Sequence, residues 1–282
     1  MIESQPTVLV LGATGKTGAR VVSHLRGRGI AVRTAARSGA DVVFDWSDRG
    51  TYAPALEAVA RVYLMAPVMR TDFAADVSLF LDEAESAGVG HVTFLSAYGM
   101  EHAPEEIATR AVELDLSRRT RLTHTILRPA WFMQNFSETF LKPTNGAIVV
   151  PTGDGAEAFI DVEDIAAVAA ATLTAPAAHA GAAYSLTGPQ ALTVAEAAAI
   201  IGEAAGRPCV HQDLDRETWV AGVLAAGAPV EYGAVLRQLT ETIASGHGAR
   251  PNDTVEKITG TSARTFRDFA HTNAAAWRES PM

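Results

Sequence analysis

One cysteine and three lysines are all that the 282 residues contain of those two types. The single thiol, Cys209, excludes an intramolecular disulfide and fits a reducing compartment. Within Pro208-Cys209-Val210 it reads as a small buried hydrophobe rather than a nucleophile. No apolar run reaches the ~20 residues a membrane span needs. Met1 to Pro6 lacks the basic and apolar regions of a secretion signal, so a cytoplasmic location without a membrane partner is expected. Basic residues are scattered under a net charge of −9, which opposes nucleic-acid binding. The 8 histidines show no close pair at ligand spacing and have no cysteine cluster beside them, so no metal is expected.

What is present begins at Thr7-Val-Leu-Val-Leu-Gly12-Ala-Thr14-Gly15-Lys16-Thr17-Gly18, a β run breaking into three spaced glycines and then an amphipathic stretch through Leu25. Gly12 allows the sharp turn, Gly15 the approach of a pyrophosphate, and Gly18 close packing of helix on sheet. The new helix start offers N–H groups and a positive dipole end to phosphates. Gly15-Lys16-Thr17 does not make a triphosphatase loop, because the required earlier glycine position is Val10. The pattern is a dinucleotide cradle.

Strand signals at Val8 to Leu11, Ala31 to Ala35, Val42 to Phe44, Arg61 to Met65, Val92 to Ser96 and Thr123 to Leu127 alternate with helical patterns such as Phe73 to Ala87 and Glu105 to Arg119. That alternation predicts an α/β chain with a Rossmann-like doubly wound parallel sheet. Ligands of such sheets bind outside the carboxyl ends of the strands.

Strand ends therefore nominate the site. Arg37 and Ser38 follow the second strand where an NAD site would usually place an acidic residue, which favours NADP(H), unless Arg37 is only a solvated surface residue. Asp45, after the third, either accepts from an adenine amine or caps the next turn. Ala66 and Pro67 after the fourth let main chain run beside a cofactor. Ser96 and Tyr98 after the fifth carry the hydroxyls nearest the expected nicotinamide, and both are candidate catalytic groups.

The few lysines matter here. A short-chain dehydrogenase pairs a tyrosine with a lysine four residues on, whose ammonium lowers the phenol pKa. Tyr52, Tyr63, Tyr98, Tyr184 and Tyr232 are followed at that spacing by Leu56, Pro67, His102, Gly188 and Leu236. Tyr98 with His102 is a substitute acid, or else a loop tyrosine beside an exposed histidine.

Leu127-Arg128-Pro129-Ala130-Trp131-Phe132-Met133-Gln134-Asn135-Phe136 suits the wall of a pocket for a flat organic molecule, and equally a core junction between lobes. Turn signals at Asn145-Gly146 and Gly153-Asp154-Gly155 flank a β-like Ala147 to Val150. A helix over Ile165 to Leu173 and a strand over Ala183 to Leu186 follow. Helices are then predicted over Val194 to Ala205, Arg216 to Leu224, Tyr232 to Ser245 and Ser262 to Trp277, with Ser245 to Asp253 as a mobile stretch.

The glycine loop, Ser96, Leu127-Arg128-Pro129 and Phe159-Ile160-Asp161-Val162-Glu163-Asp164-Ile165-Ala166 together resemble the NmrA-like branch of atypical short-chain dehydrogenases, over nearly the whole chain. Phe44-Asp45-Trp46 and Arg128-Pro129-x-Trp131-Phe132-Met133-x-Asn135 are similar to the ergot-alkaloid reductases of the agroclavine and festuclavine dehydrogenase type. The resemblance implies an NAD(P)-binding lobe, 1–129 with 159–187, and a smaller, mostly helical substrate lobe, 130–158 with 188–282, closing over the cleft. It implies cofactor contacts at Gly12, Thr14, Gly15, Lys16, Thr17, Gly18, Arg37, Asp45, Ala66, Pro67, Ser96 and Ala97. Substrate contacts would fall on Tyr98, Trp131, Phe132 and Asn135.

The expectation is an NADPH-dependent reductase acting on a C=N or conjugated C=C or quinone bond of a medium-sized molecule, with the chain a monomer or homodimer. Because the family also contains silent redox sensors, an NADP(H)-sensing regulatory protein is the alternative.

Overall fold

The computed structural model describes residues 7–278. The chain forms two compact units, one running to Pro129 and resuming over Val162–Ser185, the other made of Ala130–Asp161 and the chain from Leu186.

The first unit opens with β1 (Thr7–Leu11), α1 (Lys16–Gly27), β2 (Val32–Ala36), β3 (Val42–Val43), α2 (Tyr52–Leu56), β4 (Val59–Met65), α3 (Ala74–Ser86), β5 (His91–Leu95), α4 (Ala108–Arg118) and β6 (Thr123–Pro129). Val8, Leu9, Val10 and Leu11 are all buried, as expected of a strand covered on both faces rather than one. The second unit then contributes α5 (Asn135–Glu138), β7 (Ala147–Val149) and β8 (Ala156–Glu157), after which α6 (Val162–Thr174), α7 (Pro176–His179) and β9 (Ala182–Leu186) follow. The strands lie in the order β3-β2-β1-β4-β5-β6-β9, and every pairing from β3 through β6 is parallel. The order reverses between β1 and β4, which makes the carboxyl ends of those strands the switch point of a doubly wound sheet.

Helix α6 lies along α1, with Arg20 Nε 2.9 Å from Glu163 Oε1 and His24 Nε2 3.2 Å from Glu163 Oε2. On the far side, Phe44 stacks on Tyr52 at 5.3 Å and meets Trp46 edge-on at 4.9 Å. Those rings clamp the turn after β3 and thereby fix Asp45, which lies between two of them.

The second unit adds β10 (Leu192–Thr193), α8 (Val194–Ala205), β11 (Val210–Gln212), α9 (Arg216–Ala225), α10 (Gly233–Ala244), α11 (Thr254–Thr259), α12 (Phe266–Thr272) and α13 (Ala275–Arg278). Its core centres on Phe136, edge-on to Phe159 at 5.0 Å and Phe266 at 5.1 Å, with Trp277 Nε1 donating to the Phe136 carbonyl at 2.7 Å. Cys209 is half-buried there, and burial pushes its thiol pKa up, away from nucleophilic use.

Three expectations need correction. The predicted helix over Ser262 to Trp277 is two short helices, because Thr265 and Asp268 form a capping box that starts a helix there, and the chain breaks again at Asn273. The stretch Ser245 to Asp253 is tied down rather than loose: Gly248 O accepts from Ala158 N at 3.0 Å, and Asn252 N donates to Thr187 Oγ1 at 2.8 Å. Residues 159–161 and 186–187 fall within the second unit, where Phe132 bridges Ile160 and Ala130 N donates to Leu186 O at 2.8 Å. Among the described residues no helix is long and apolar enough to cross a membrane, and no acidic, histidine or cysteine group is arranged to hold a metal.

Candidate functional site

The turn from β1 into α1 is made by Gly12 at φ +64°, a left-handed value that favours glycine, and Gly15 N donates back to Gly12 O at 2.9 Å. A Cβ on Gly18 would stand 2.2 Å from that same carbonyl oxygen, so the first turn of α1 lies against the loop backbone. No side chain caps α1, and no acidic residue occupies its first turn. A helix start left open in this way, behind a glycine cradle, fits the diphosphate of a dinucleotide. Lys16 and Thr17 stand at this start, Thr17 buried with its hydroxyl 3.9 Å from Met65 Sδ. Thr14 flanks the cradle, its methyl within van der Waals reach of where a Cβ on Gly39 would lie.

Beyond β2, Arg37 and Ser38 are exposed, and Arg37 has no side-chain partner among the described residues. An open groove of about 480 Å³ runs nearby between α1 and β2, past Ala13, Thr34, Gly39 and Asp41. Asp41 accepts from both the N–H and hydroxyl of Thr34 at 2.8 Å, and those bonds hold its carboxyl below the usual range. Arg26 also lines this groove, its Nη2 4.0 Å from Asp41 Oδ2. Asp45 accepts from Ser47 N at 2.8 Å, the turn-capping alternative of its two readings, with its second oxygen outside that bond.

Ala66 and Pro67 continue from β4 as half-buried main chain. After β5 the chain turns along the end of β6: Ser96 N donates to Leu127 O at 2.8 Å and Tyr98 N to Pro129 O at 3.0 Å, with Ala97 between them. Gly99, at φ +75°, turns the chain into a short 3₁₀ stretch that carries exposed His102.

Beneath this turn lies a buried ion-pair network that sequence reading missed. Glu113 of α4 is 1% exposed and accepts from Ser96 Oγ at 2.6 Å, from Arg128 Nε at 2.9 Å and Nη2 at 2.8 Å, and from Arg110 Nη1 at 2.8 Å. Burial alone would raise this carboxyl, but the hydrogen bonds from Arg128 and Ser96 and the Arg128 charge outweigh it and hold it below its usual range. The available signal was Glu113 itself, set between Val112 and Leu116 on the apolar stripe of α4.

Trp131, Phe132 and Asn135 belong to the second unit, each half-buried. Trp131 meets the exposed ring of Phe140 edge-on at 5.6 Å, and Thr139 Oγ1 donates to Asn135 Oδ1 at 3.2 Å. Behind Trp131, buried Glu157 accepts from its N–H at a long 3.5 Å, while Glu157 Oε2 has no partner among the described residues. Burial pushes this carboxyl up to about 7.

Residues 4–272 match the model of the NmrA-like family. Among curated proteins the chain is 38% identical to an uncharacterised oxidoreductase, YesF, of Bacillus subtilis, over 98% of both chains. It is 31% identical to the agroclavine dehydrogenase of Claviceps fusiformis, over 96% of this chain and 98% of that one. Among solved structures it superposes on the Citrobacter sp. triphenylmethane reductase complexed with NADP(H) with a TM-score of 0.75 at 22% identity, covering 95% of this chain and 99% of that one. With a family match over almost its whole length and relatives aligned end to end, the chain belongs to the NmrA-like family.

Proposed function

We propose that this protein is an NADPH-dependent oxidoreductase that reduces a C=N, quinone or conjugated C=C bond of a medium-sized organic molecule. The observation that carries the reading is the uncapped start of α1 set against Gly12 and Gly18, with Arg37 beyond β2 without a partner among the described residues. Relatives named as oxidoreductase and agroclavine dehydrogenase support the reaction class.

Bound NADPH would supply the hydride. The chain's own residues then have a limited task. Lys142 and Lys257 lie in the second unit and Lys16 at the start of α1, so no ammonium follows Tyr98 to acidify a phenol. The nearest cation on α4, Arg110, is committed to Glu113. An iminium carbon suits such a site: it accepts the hydride electron pair and becomes an amine without needing a proton, leaving the protein to orient the partners and exclude water. A quinone or enone would take its proton from water or Tyr98. Trp131, Phe132 and the exposed Phe140 offer apolar surface for a ring system.

The test is titration with NADPH and NADP+, followed by a panel of cyclic imines, quinones and enones while reduced-nicotinamide absorbance is monitored. Turnover on one class establishes the reductase and names the bond. Tight binding with no turnover on any class replaces it with the NADP(H)-sensing alternative, and no binding removes both.

A further inference from the structure

The four hydrogen bonds on Glu113 decide the direction of the one from Ser96. A carboxylate between two guanidinium groups carries no proton to give, so the Ser96 hydroxyl must be the donor at 2.6 Å. Arg128 grips Glu113 through two nitrogens, Nε and Nη2, and its Nη1 lies 3.4 Å from Glu101, so the carboxylate cannot swing away. Ser96 is 8% exposed at the carboxyl end of β5, its only proton is already engaged, and both of its lone pairs remain.

We propose that Glu113, held by Arg110 and Arg128, is a positioning residue that engages the single proton of Ser96, so that Ser96 meets a nicotinamide as a hydrogen-bond acceptor for its carboxamide N–H and does not donate a proton in the reaction. The inference rests on the NADPH reading above. It turns Ser96 from a candidate acid into a recognition group. It also accounts for a hydroxyl on this strand end in a chain without the tyrosine and lysine pair.

The experiment compares NADP+ with its 3-acetylpyridine analogue, in which a methyl group replaces the carboxamide nitrogen and its two N–H donors. Binding of both is titrated for wild type, Ser96→Ala and Glu113→Gln. Ser96→Ala leaves Arg110 and Arg128 on Glu113, so the fold is retained. It is expected to weaken NADP+ by about 3- to 10-fold and the analogue by less than about 2-fold. A fall of roughly a hundredfold or more in its kcat at saturating NADPH would mark Ser96 as a true acid. Glu113→Gln, checked for fold by circular dichroism, is expected to erase the same preference for NADP+ over the analogue. If it does not fold, the Ser96→Ala comparison decides alone. Equal losses for both nucleotides, no loss for either, or a collapse of kcat overturns the proposal. Wild type that binds neither nucleotide overturns the NADPH reading itself, and this assignment with it.

Discussion

Gly18 packs so closely on Gly12 that a Cβ at Gly18 would stand 2.2 Å from the Gly12 carbonyl oxygen and 2.7 Å from its carbon. Both atoms are backbone of a turn that must keep φ +64°, so nothing flexible can yield. Alanine at a helical position ordinarily gains up to about 1 kcal/mol over glycine, but overpacking against fixed backbone costs about 1–3 kcal/mol, and the second effect wins. Gly18→Ala is expected to lower the melting temperature and to weaken NADPH binding at least tenfold. Gly27 ends the same helix with nothing within 4 Å of its would-be Cβ, so Gly27→Ala should leave binding intact and hold or raise the melting temperature. Equal behaviour of the two variants would remove the packing argument.

Arg37 follows β2 without a partner among the described residues. A charge-assisted hydrogen bond to a 2′-phosphate contributes about 1.5–3 kcal/mol. Arg37→Ala should therefore weaken NADPH by about 10- to 100-fold and leave NADH nearly unchanged, as read from the two dissociation constants. An equal effect on both nucleotides would assign Arg37 to general surface charge.

Much of this site was legible because it is local. Gly12, Gly15 and Gly18 lie within one strand-to-helix turn, whereas Arg37 is proposed from its position after β2 alone. The Glu113 network was not legible, since it joins α4 to Arg128 on β6 and to Ser96 after β5, and only the strand order brings those three together. Glu113 looks like any helix glutamate until its place beside Val112 and Leu116 is weighed. The capping box of Thr265 and Asp268 was readable, but the apolar pattern running through it to Trp277 suggested one helix. The anchoring of 245–253 depends on Ala158 and Thr187, far away in sequence, and glycine content alone pointed the other way.

Arg128 and Arg110 both serve Glu113, but unequally: Arg128 makes two hydrogen bonds to it and Arg110 one. Removing the main partner of a carboxylate that is 1% exposed leaves a largely uncompensated buried charge, which costs about 3–5 kcal/mol. Arg128→Met is expected to destabilise by an amount near that range in denaturant melts. Arg110→Met should cost clearly less, because the two-nitrogen grip survives. The reverse order would mean that the Arg128 bonds are not the principal support.

Trp131 is half-buried and stacked edge-on with exposed Phe140 at 5.6 Å. If its ring forms part of an acceptor wall, Trp131→Ala should raise KM for polycyclic acceptors several-fold while KM for NADPH stays put. Unchanged kinetics on every accepted substrate would assign the ring to core packing alone.

Glu157 and His91 give stability two opposed dependences on pH over the same interval. Burial pushes Glu157 up to about 7 from an ordinary 4.5, with the Trp131 N–H working weakly the other way. The folded chain thus keeps a proton that the unfolded chain releases, and this stability is complete below about pH 4.5 and is lost as pH rises towards 7. Burial, aided by the His124 and Arg61 charges, pushes His91 down to about 4 from 6.5. Its neutral ring is bonded to Thr123 at 2.8 Å and to Thr125 at 3.2 Å. That contribution is complete above about pH 6.5 and is lost as pH falls towards 4. Each is worth about 3 kcal/mol across its range, so over pH 4.5–6.5 the two slopes nearly cancel and wild-type stability should be almost flat. Glu157→Gln removes the falling contribution and leaves stability that rises with pH across the interval, with the largest gain over wild type near pH 8. His91→Asn should do the opposite and leave stability that falls. Urea melts at half-unit steps of pH read both slopes, and a Glu157→Gln profile that superimposes on wild type would show that this carboxyl titrates near its ordinary value.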